Sequence, residues 1–373
     1  MPHFNEPTNS PTDSDVPFRV AFSHVTGVGP ARMSALERHF DSLEDAWGAD
    51  RTQLRQAGLD KRTTDEIEST RTTLDPHDAY TRMLDEGVTA LTPEDDRYPR
   101  RLKEIPDPPP LLYVRGDLIE RDEWSLAVVG TRRPTAYGQQ VTRALSAELA
   151  GSGLTIVSGL ARGVDGIAHE TALEHGGRTI AVVACGLDRV YPPEHKPLAA
   201  RILDTGGAML SEYPLGTRPD ARYFPRRNRI IAGMTLGTLV TEAGEKSGTW
   251  HTVTSALDQG REVFAVPGPI TSEQSTGANN VIKRGLGKLV TCAQDILEEL
   301  NLGPIERQAE LVEQLPEDPV EAVLLERIGS EAIHVDELSR ILQQPVHETA
   351  AAMATLELKG LIHQVGPMTY ARR

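Results

Sequence analysis

Between residues 116 and 300, short apolar runs alternate with windows of helical periodicity. Leu126-Ala127-Val128-Val129 precedes a predicted helix over 137–150, Leu154-Thr155-Ile156-Val157 one over 164–175, and the run 179–184 one over 196–205. Ala208-Met209-Leu210 follows. The run 236–240 then precedes a helix over 249–259, and Val263-Phe264-Ala265-Val266 and Lys288-Leu289-Val290 close the series. Glycine stands at or near helix ends (Gly151, Gly176, Gly206, Gly260), where a C-cap favours it. Repeated strand–helix units of this kind predict an α/β fold, a doubly wound parallel sheet.

The flanks follow other periods. Residues 1–16 are Pro, Ser, Thr, Asn and Asp with little to bury, and read as a disordered tail. Residues 17–90 read as short helices. Val25-Thr26-Gly27-Val28-Gly29-Pro30-Ala31 looks like the turn of a helix–hairpin–helix or SAM-like module, with a weaker copy at Leu54–Leu59. The acidity of this part favours a helical module without a nucleic-acid role. Residues 91–115, with Pro106, Pro108, Pro109 and Pro110, read as an extended connector. An acidic linker spans 301–317. Residues 318–373 read as three helices (319–328, 335–342, 346–359) and a hairpin turning at Gly366-Pro367, the order of a winged helix. Its third helix carries His347, Glu348, Glu357 and only Lys359, which favours protein contact or stability over duplex reading.

Composition narrows the class. The 373 residues exceed one ordinary domain. No apolar run approaches the roughly 20 residues of a membrane helix, and the polar N-terminus lacks the features of a signal peptide. Cys185 and Cys292 alone cannot build a disulfide framework or a cysteine metal site, so a reducing cytoplasm is the expected compartment. The net charge of −15 is carried almost wholly by the flanks, and residues 110–300 are nearly neutral. Within them, Arg218 to Arg229 holds five arginines and one aspartate, a patch able to bind an anion.

In an open parallel sheet, ligands bind beyond the carboxyl ends of the strands. The candidate chemistry therefore lies in five loops: Gly130-Thr131-Arg132-Arg133; Ser158-Gly159 through Arg162 to Asp165; Phe224-Pro225-Arg226-Arg227-Asn228-Arg229; Glu242 to Lys246-Ser247-Gly248-Thr249; and Pro267-Gly268-Pro269. Small residues let backbone N–H groups approach an anion, and arginine forks match phosphate oxygens. Tyr223 and Phe224 beside arginines suit stacked bases of a single strand. The GxGxxG and GxxxxGK[ST] fingerprints and the GxSxG elbow are absent. Asp165 and His169 read as a helix N-terminal acid and a packed histidine. Glu242 reads as a structural acceptor for loop N–H groups rather than a general acid–base. No catalytic residue, cofactor or metal is expected.

Taken together, Gly130-Thr131-Arg132, Ser158 to Asp165 with Ala168-His169, Phe224-Pro225-x-Arg227-Asn228-Arg229, Glu242-Ala243 to Ser247-Gly248-Thr249, and Val263 to Gly268 resemble the DNA-processing protein A (DprA or Smf) family in its long form, strongly over 90–300. The resemblance implies an extended Rossmann-like domain that binds single-stranded DNA without turnover. It further implies a homodimer that protects incoming strands and loads RecA in natural transformation, with single-strand DNA-binding protein as a further partner and no membrane association. It implies phosphate contacts at Gly130, Thr131, Arg132, Arg227, Asn228 and Arg229, a base contact at Phe224, and strand contacts around Ser247. Arg133, Ser158, Gly159, Arg162, Arg222, Arg226, Lys246, Gly248 and Thr249 complete the expected DNA-binding set. Where family members often carry a lysine shortly before the phenylalanine, this chain has Ala221 and Arg222. Two other readings compete. The fold also resembles lysine-decarboxylase-like phosphoribohydrolases, whose PGGxGTxxE loop has an acid after the glycine-threonine turn. Here Trp250-His251-Thr252 follows, and the next acid is Asp258. The winged helix could instead read duplex DNA as part of a regulator.

Overall fold

A computed structural model describes residues 15–302, Leu324, and 333–372 apart from 343, 344, 359–361 and 367. The expected tail lies almost wholly outside the described residues. So do most of the linker and, but for Leu324, the first winged-helix helix. The chain forms two compact units, 1–300 and 301–373.

Six helices open the first unit: α1 (Val16–Ser23), α2 (Pro30–His39), α3 (Leu43–Gly48), α4 (Arg51–Gln56), α5 (Lys61–Arg71) and α6 (Pro76–Asp85). Local chemistry starts them. Asp50 and Gln53 form a reciprocal capping box at α4, and Asp60 accepts the Thr63 N–H at α5. Phe18, Phe22, Met33, Leu36, Leu54 and Ile67 close a core of their own. Val16 and Val20 of α1 and Met83 of α6 pack instead with Tyr113, Ala181 and Met209 of the sheet, so the helices share apolar burial with the sheet.

The sheet has nine strands: β1 (Val88–Leu91), β2 (Leu112–Gly116), β3 (Ser125–Val129), β4 (Thr155–Ser158), β5 (Thr179–Val182), β6 (Ala208–Ser211), β7 (Gly237–Val240), β8 (Glu262–Ala265) and β9 (Lys288–Leu289). Their order is β1-β2-β6-β5-β4-β3-β7-β8-β9. From β6 to β9 all neighbours are parallel. The helices between them are α8 (Ala136–Gly151), α9 (Val164–Glu174), α10 (Lys196–Asp204), α11 (Tyr223–Gly233), α12 (Thr249–Asp258) and α13 (Thr276–Lys283), and α14 (Ala293–Glu299) follows β9. Strands β3 to β7 are buried along their whole length, as a sheet covered on both faces requires.

The expected connector is different. β1 and β2 pair antiparallel, Val88 opposite Arg115 and Leu91 opposite Leu112, and β2 adds antiparallel to β6. A short helix α7 (Arg100–Lys103) lies between them. The Tyr98 hydroxyl donates to the Pro109 carbonyl at 2.9 Å, tying the proline stretch down. The prolines mark the path before β2, and the apolar run Leu111 to Val114 behind them supplies the strand.

Sequential strands β3-β4-β5-β6 run one way from β3, and β7-β8-β9 run the other way. The switch point of the sheet therefore lies between β3 and β7, where an open α/β sheet leaves a crevice for ligands.

The second unit holds β10 (Ile333–His334), α15 (Val335–Leu342), α16 (Val346–Leu358), β11 (Ile362–Gly366) and β12 (Thr369–Arg372), with sheet order β10-β12-β11. Leu324, Val335, Leu338, Met353, Leu356 and Tyr370 form its core. This is the expected winged helix. On α16, His347 is exposed, while Lys359 and the side chains of Glu348 and Glu357 lie outside the described residues. Among the described residues no helix is long and apolar enough to cross a membrane.

Candidate nucleic-acid site at the sheet switch point

A cavity of about 800 Å³ opens at the β3/β7 switch. It is lined by Gly130 to Arg133 after β3, by Phe224, Arg227 and Asn228 of α11, and by Lys246 to Thr249 before α12. Eleven of the seventeen expected residues thus meet in one place.

The loop after β3 is fixed from below. The Thr131 N–H donates to the Glu242 carbonyl at 2.7 Å, and its hydroxyl to Gln274 Oε1 at 3.1 Å. Thr135 N–H and Oγ1 donate to the two Glu242 carboxylate oxygens at 2.8 and 2.7 Å. Glu242 is 2% exposed. Both its oxygens hold the β3 loop, as expected of a structural acceptor. A side chain at Gly138 would place its Cβ 2.6 Å from the Glu242 carboxyl carbon, so glycine lets the carboxylate reach Thr135.

The arginine-rich segment is a helix, not a loop. The turn at Asp220 to Tyr223 launches α11, and Ile230, Ile231 and Ala232 bury its far end. Helical periodicity then divides the arginines. Arg227 turns inward and is 4% exposed. Its Nη1 donates to the Gly159 carbonyl at 2.8 Å and to the Val182 carbonyl, and its Nε to Asn228 Oδ1 at 3.1 Å. Burial lowers its guanidinium to about 10, and the nearby Asp165 carboxylate opposes that shift. Burial likewise raises Asp165, against Arg227 and two N–H donors, Ala161 and Gly159. A Cβ on Gly159 would stand 2.7 Å from the Arg227 guanidinium carbon, so only glycine admits this arginine. Arg227 is thus part of the cavity floor.

Several other expected residues are corrected in the same way. Ser158 is fully buried, and its hydroxyl donates to the Val128 carbonyl at 2.6 Å. The Gly159 N–H is taken by Asp165 at 3.1 Å. Arg162 is exposed, pairs with Glu194 and does not line the cavity. Arg229 pairs with Asp107 at 3.1 Å and with Glu212, its side chain 11% exposed. Arg222 bonds Asp220 at 2.9 Å. Arg222, Arg226 and Arg229 line a different groove, described below, while Ala221 lines the cavity. His169 is packed, its Nδ1 2.7 Å from Thr179 Oγ1.

The rim carries the accessible charge. Arg132, Arg133 and Lys246 are exposed, and none has an ion pair among the described residues. The Arg132 guanidinium lies 5.2 Å from the Phe224 ring centre, and the Tyr191 ring lies 5.8 Å from Phe224, tilted by 45°. Ser247 Oγ lies 2.8 Å from Thr249 Oγ1 and accepts the Thr249 N–H, closing the turn into α12. Tyr191, His251 and Gln274 also line the cavity. They come from the β5–α10 connection, the exposed face of α12 and the segment after β8. No motif flagged them, since each is single and remote in sequence. Tyr191 beside two prolines was the one visible aromatic signal. The arrangement offers aromatic rings, exposed cations and hydroxyl side chains over a buried floor, which suits a base with its flanking phosphates.

Comparison with known proteins gives the family of the chain. The family described as DNA recombination-mediator protein A matches residues 89–301, and the DprA winged helix domain matches 308–366. Protein Smf from Synechocystis is 35% identical, over 97% of this chain and 100% of its own length. Protein Smf from Escherichia coli is 42% identical, over 76% and 77%. Among solved structures, DprA from Streptococcus pneumoniae superposes with a TM-score of 0.64 at 31% identity, covering 76% of this chain and 97% of that one. DNA processing protein A from Helicobacter pylori, studied for its single-stranded DNA binding mode, superposes at 0.52 and 32%, covering 57% and 95%. The chain belongs to the DNA recombination-mediator protein A family.

Proposed function

We propose that this protein binds single-stranded DNA in the switch-point cavity and acts, without turnover, as a recombination mediator. The observation that carries the reading is the rim: three exposed cations, without ion pairs among the described residues, beside a phenylalanine already stacked by one of them. Phe224 and Tyr191 meet a base, Arg132, Arg133 and Lys246 meet phosphates, and Gly130, Thr131, Asn228 and the Ser247–Thr249 turn supply short polar contacts. Arg227 is a positioning residue. The commitment of both Glu242 oxygens to Thr135 supports binding over nucleotide hydrolysis, because a general acid–base needs a free oxygen at the substrate. The family reading extends this to a cytoplasmic homodimer that shields incoming strands and loads RecA during natural transformation, with single-strand DNA-binding protein as a further partner. In that reading residues 17–90, 116–300 and 318–373 serve as helical, strand-binding and protein-contact domains.

Fluorescence anisotropy with labelled oligothymidylate and its duplex, titrated across salt, tests the core of it. Three neutralised phosphates predict a log–log slope of about −2 on the single strand and weaker duplex binding. Failure to bind the single strand at low salt overturns the proposal.

A further inference from the structure

Helix α11 has a second face. Arg222, Arg226 and Arg229 are spaced four and three residues apart and line one wall of a groove of about 1380 Å³. The glycine turn at Thr26–Pro30 and Arg62 line the same groove. Arg226 and Arg62 are both exposed, and neither has an ion pair among the described residues. Tyr213 and Tyr223 stack within the groove, ring centres 4.3 Å apart and planes 29° apart, forming a flat platform. The acids present are mostly committed: Asp60 to Arg32, and Asp107 and Glu212 to Arg229. Asp258 is the acid there with no ion pair among the described residues. Pro225 lines both this groove and the switch-point cavity, so the two are neighbours at the first turn of α11.

We propose that this groove is a second tract for single-stranded DNA, taking the nucleotides that leave the switch-point cavity over Pro225. The inference rests on the reading given under Proposed function. Arg226 and Arg62 meet phosphates of that strand. The Tyr213–Tyr223 platform takes a base by stacking, which tolerates any sequence.

The test uses the full chain and two oligothymidylates. One of roughly six nucleotides fills the cavity alone, and one of roughly twenty reaches both tracts. Wild type should bind the longer strand more tightly, with a salt slope steeper by about 0.7 per added phosphate. Arg226→Ala should weaken the long strand severalfold, flatten its slope by about 0.7, and leave the short strand within twofold. Tyr223→Ala should weaken the long strand by at least about fivefold through lost stacking. Because Tyr223 is partly packed, the exposed Arg226 keeps the test independent of folding. Equal slopes for both lengths in wild type, or an Arg226→Ala variant that binds the long strand like wild type, overturn the second tract while leaving the first. Binding of neither strand by wild type removes both.

Discussion

On the floor of the cavity, Arg227 is 4% exposed and gives its guanidinium to the Gly159 and Val182 carbonyls. At the rim, Arg132 is exposed and lies over the Phe224 ring. Both belong to the segments that carry the family resemblance, and both count equally in a tally of charge. The difference is burial. A guanidinium moved out of water must find carbonyls and a counter-charge, and once it has them it is no longer available to a ligand. Arg227 has both, from β4, β5 and Asp165 of α9, so it couples three elements beneath the site. Arg132 is exposed and has no ion pair among the described residues, and on the reading proposed above it meets a phosphate. The cavity thus separates a buried floor that fixes geometry from an exposed rim, where the reading proposed above places the strand. Floor variants should be read in stability, and rim variants in the salt dependence of binding.

The largest test of that division is Arg227→Ala. Removing the guanidinium takes from the buried Asp165 carboxyl the larger of its two opposing charges, Arg227 ahead of Arg132, and takes a donor from two carbonyls. The expected cost is about 3–5 kcal/mol in urea denaturation. The salt slope of the protein that remains folded should be unchanged. A slope flattened by about 0.7 with stability intact would move Arg227 to the rim.

A smaller effect comes from pH. His169 is fully buried one turn beyond Asp165. The single hydroxyl proton of Thr179 goes to the Ile156 carbonyl at 2.6 Å, so His169 Nδ1 is the donor to Thr179 Oγ1. Its Nε2 has no partner among the described residues. Burial, with lesser repulsion from His195 and Arg227, lowers this imidazole from 6.5 to about 3. The unfolded chain therefore binds a proton below pH 6.5 that the folded chain refuses until about pH 3. Stability from this group is complete above 6.5 and falls as pH drops, by about 1.4 kcal/mol per unit and about 2 kcal/mol at pH 5. Denaturation midpoints of wild type and His169→Gln between pH 7 and 5 measure it. The variant should be less stable at pH 7 and lose less on acidification; parallel curves would show that His169 does not contribute.

These contrasts also set how far the sequence could be read. The parallel sheet was legible because each strand–helix unit repeats a local pattern, and the observed elements fall within one or two residues of the expected ones, as for α8, α9 and α12. β2 was hidden because its apolar run is short and follows Pro108 to Pro110, so the prolines dominated the local pattern. At the site, the loops after β3 and before α12 were legible, since their glycines and hydroxyls lie at strand ends. The roles of the arginines were not. Once Phe224 to Arg229 is a helix, residues three or four apart share a face, so Arg226 and Arg229 line one groove while Arg227 between them turns to the cavity floor. Nor could local pattern disclose that Glu212 and Asp107 neutralise Arg229 from 17 and 122 positions away.

The smallest and sharpest test compares two neighbours at the rim. Arg132→Ala and Arg133→Ala each remove an exposed cation, and each should shift folding stability by less than about 0.5 kcal/mol. If both meet phosphate, each flattens the single-strand salt slope by about 0.7. Arg132 alone also covers the Phe224 ring, a contact of about 0.5–1 kcal/mol at exposed sites. When a base arrives, it must either displace that guanidinium or stack with it on the ring. If it stacks, Arg132→Ala costs more affinity than Arg133→Ala, and the excess persists at high salt, where the phosphate contribution has faded. If it displaces the guanidinium, Arg132→Ala frees the ring, and at high salt this variant binds as tightly as Arg133→Ala or tighter. Anisotropy titrations of both variants at low and high salt separate the two cases. A high-salt excess for Arg132→Ala assigns the ring and its guanidinium to one platform.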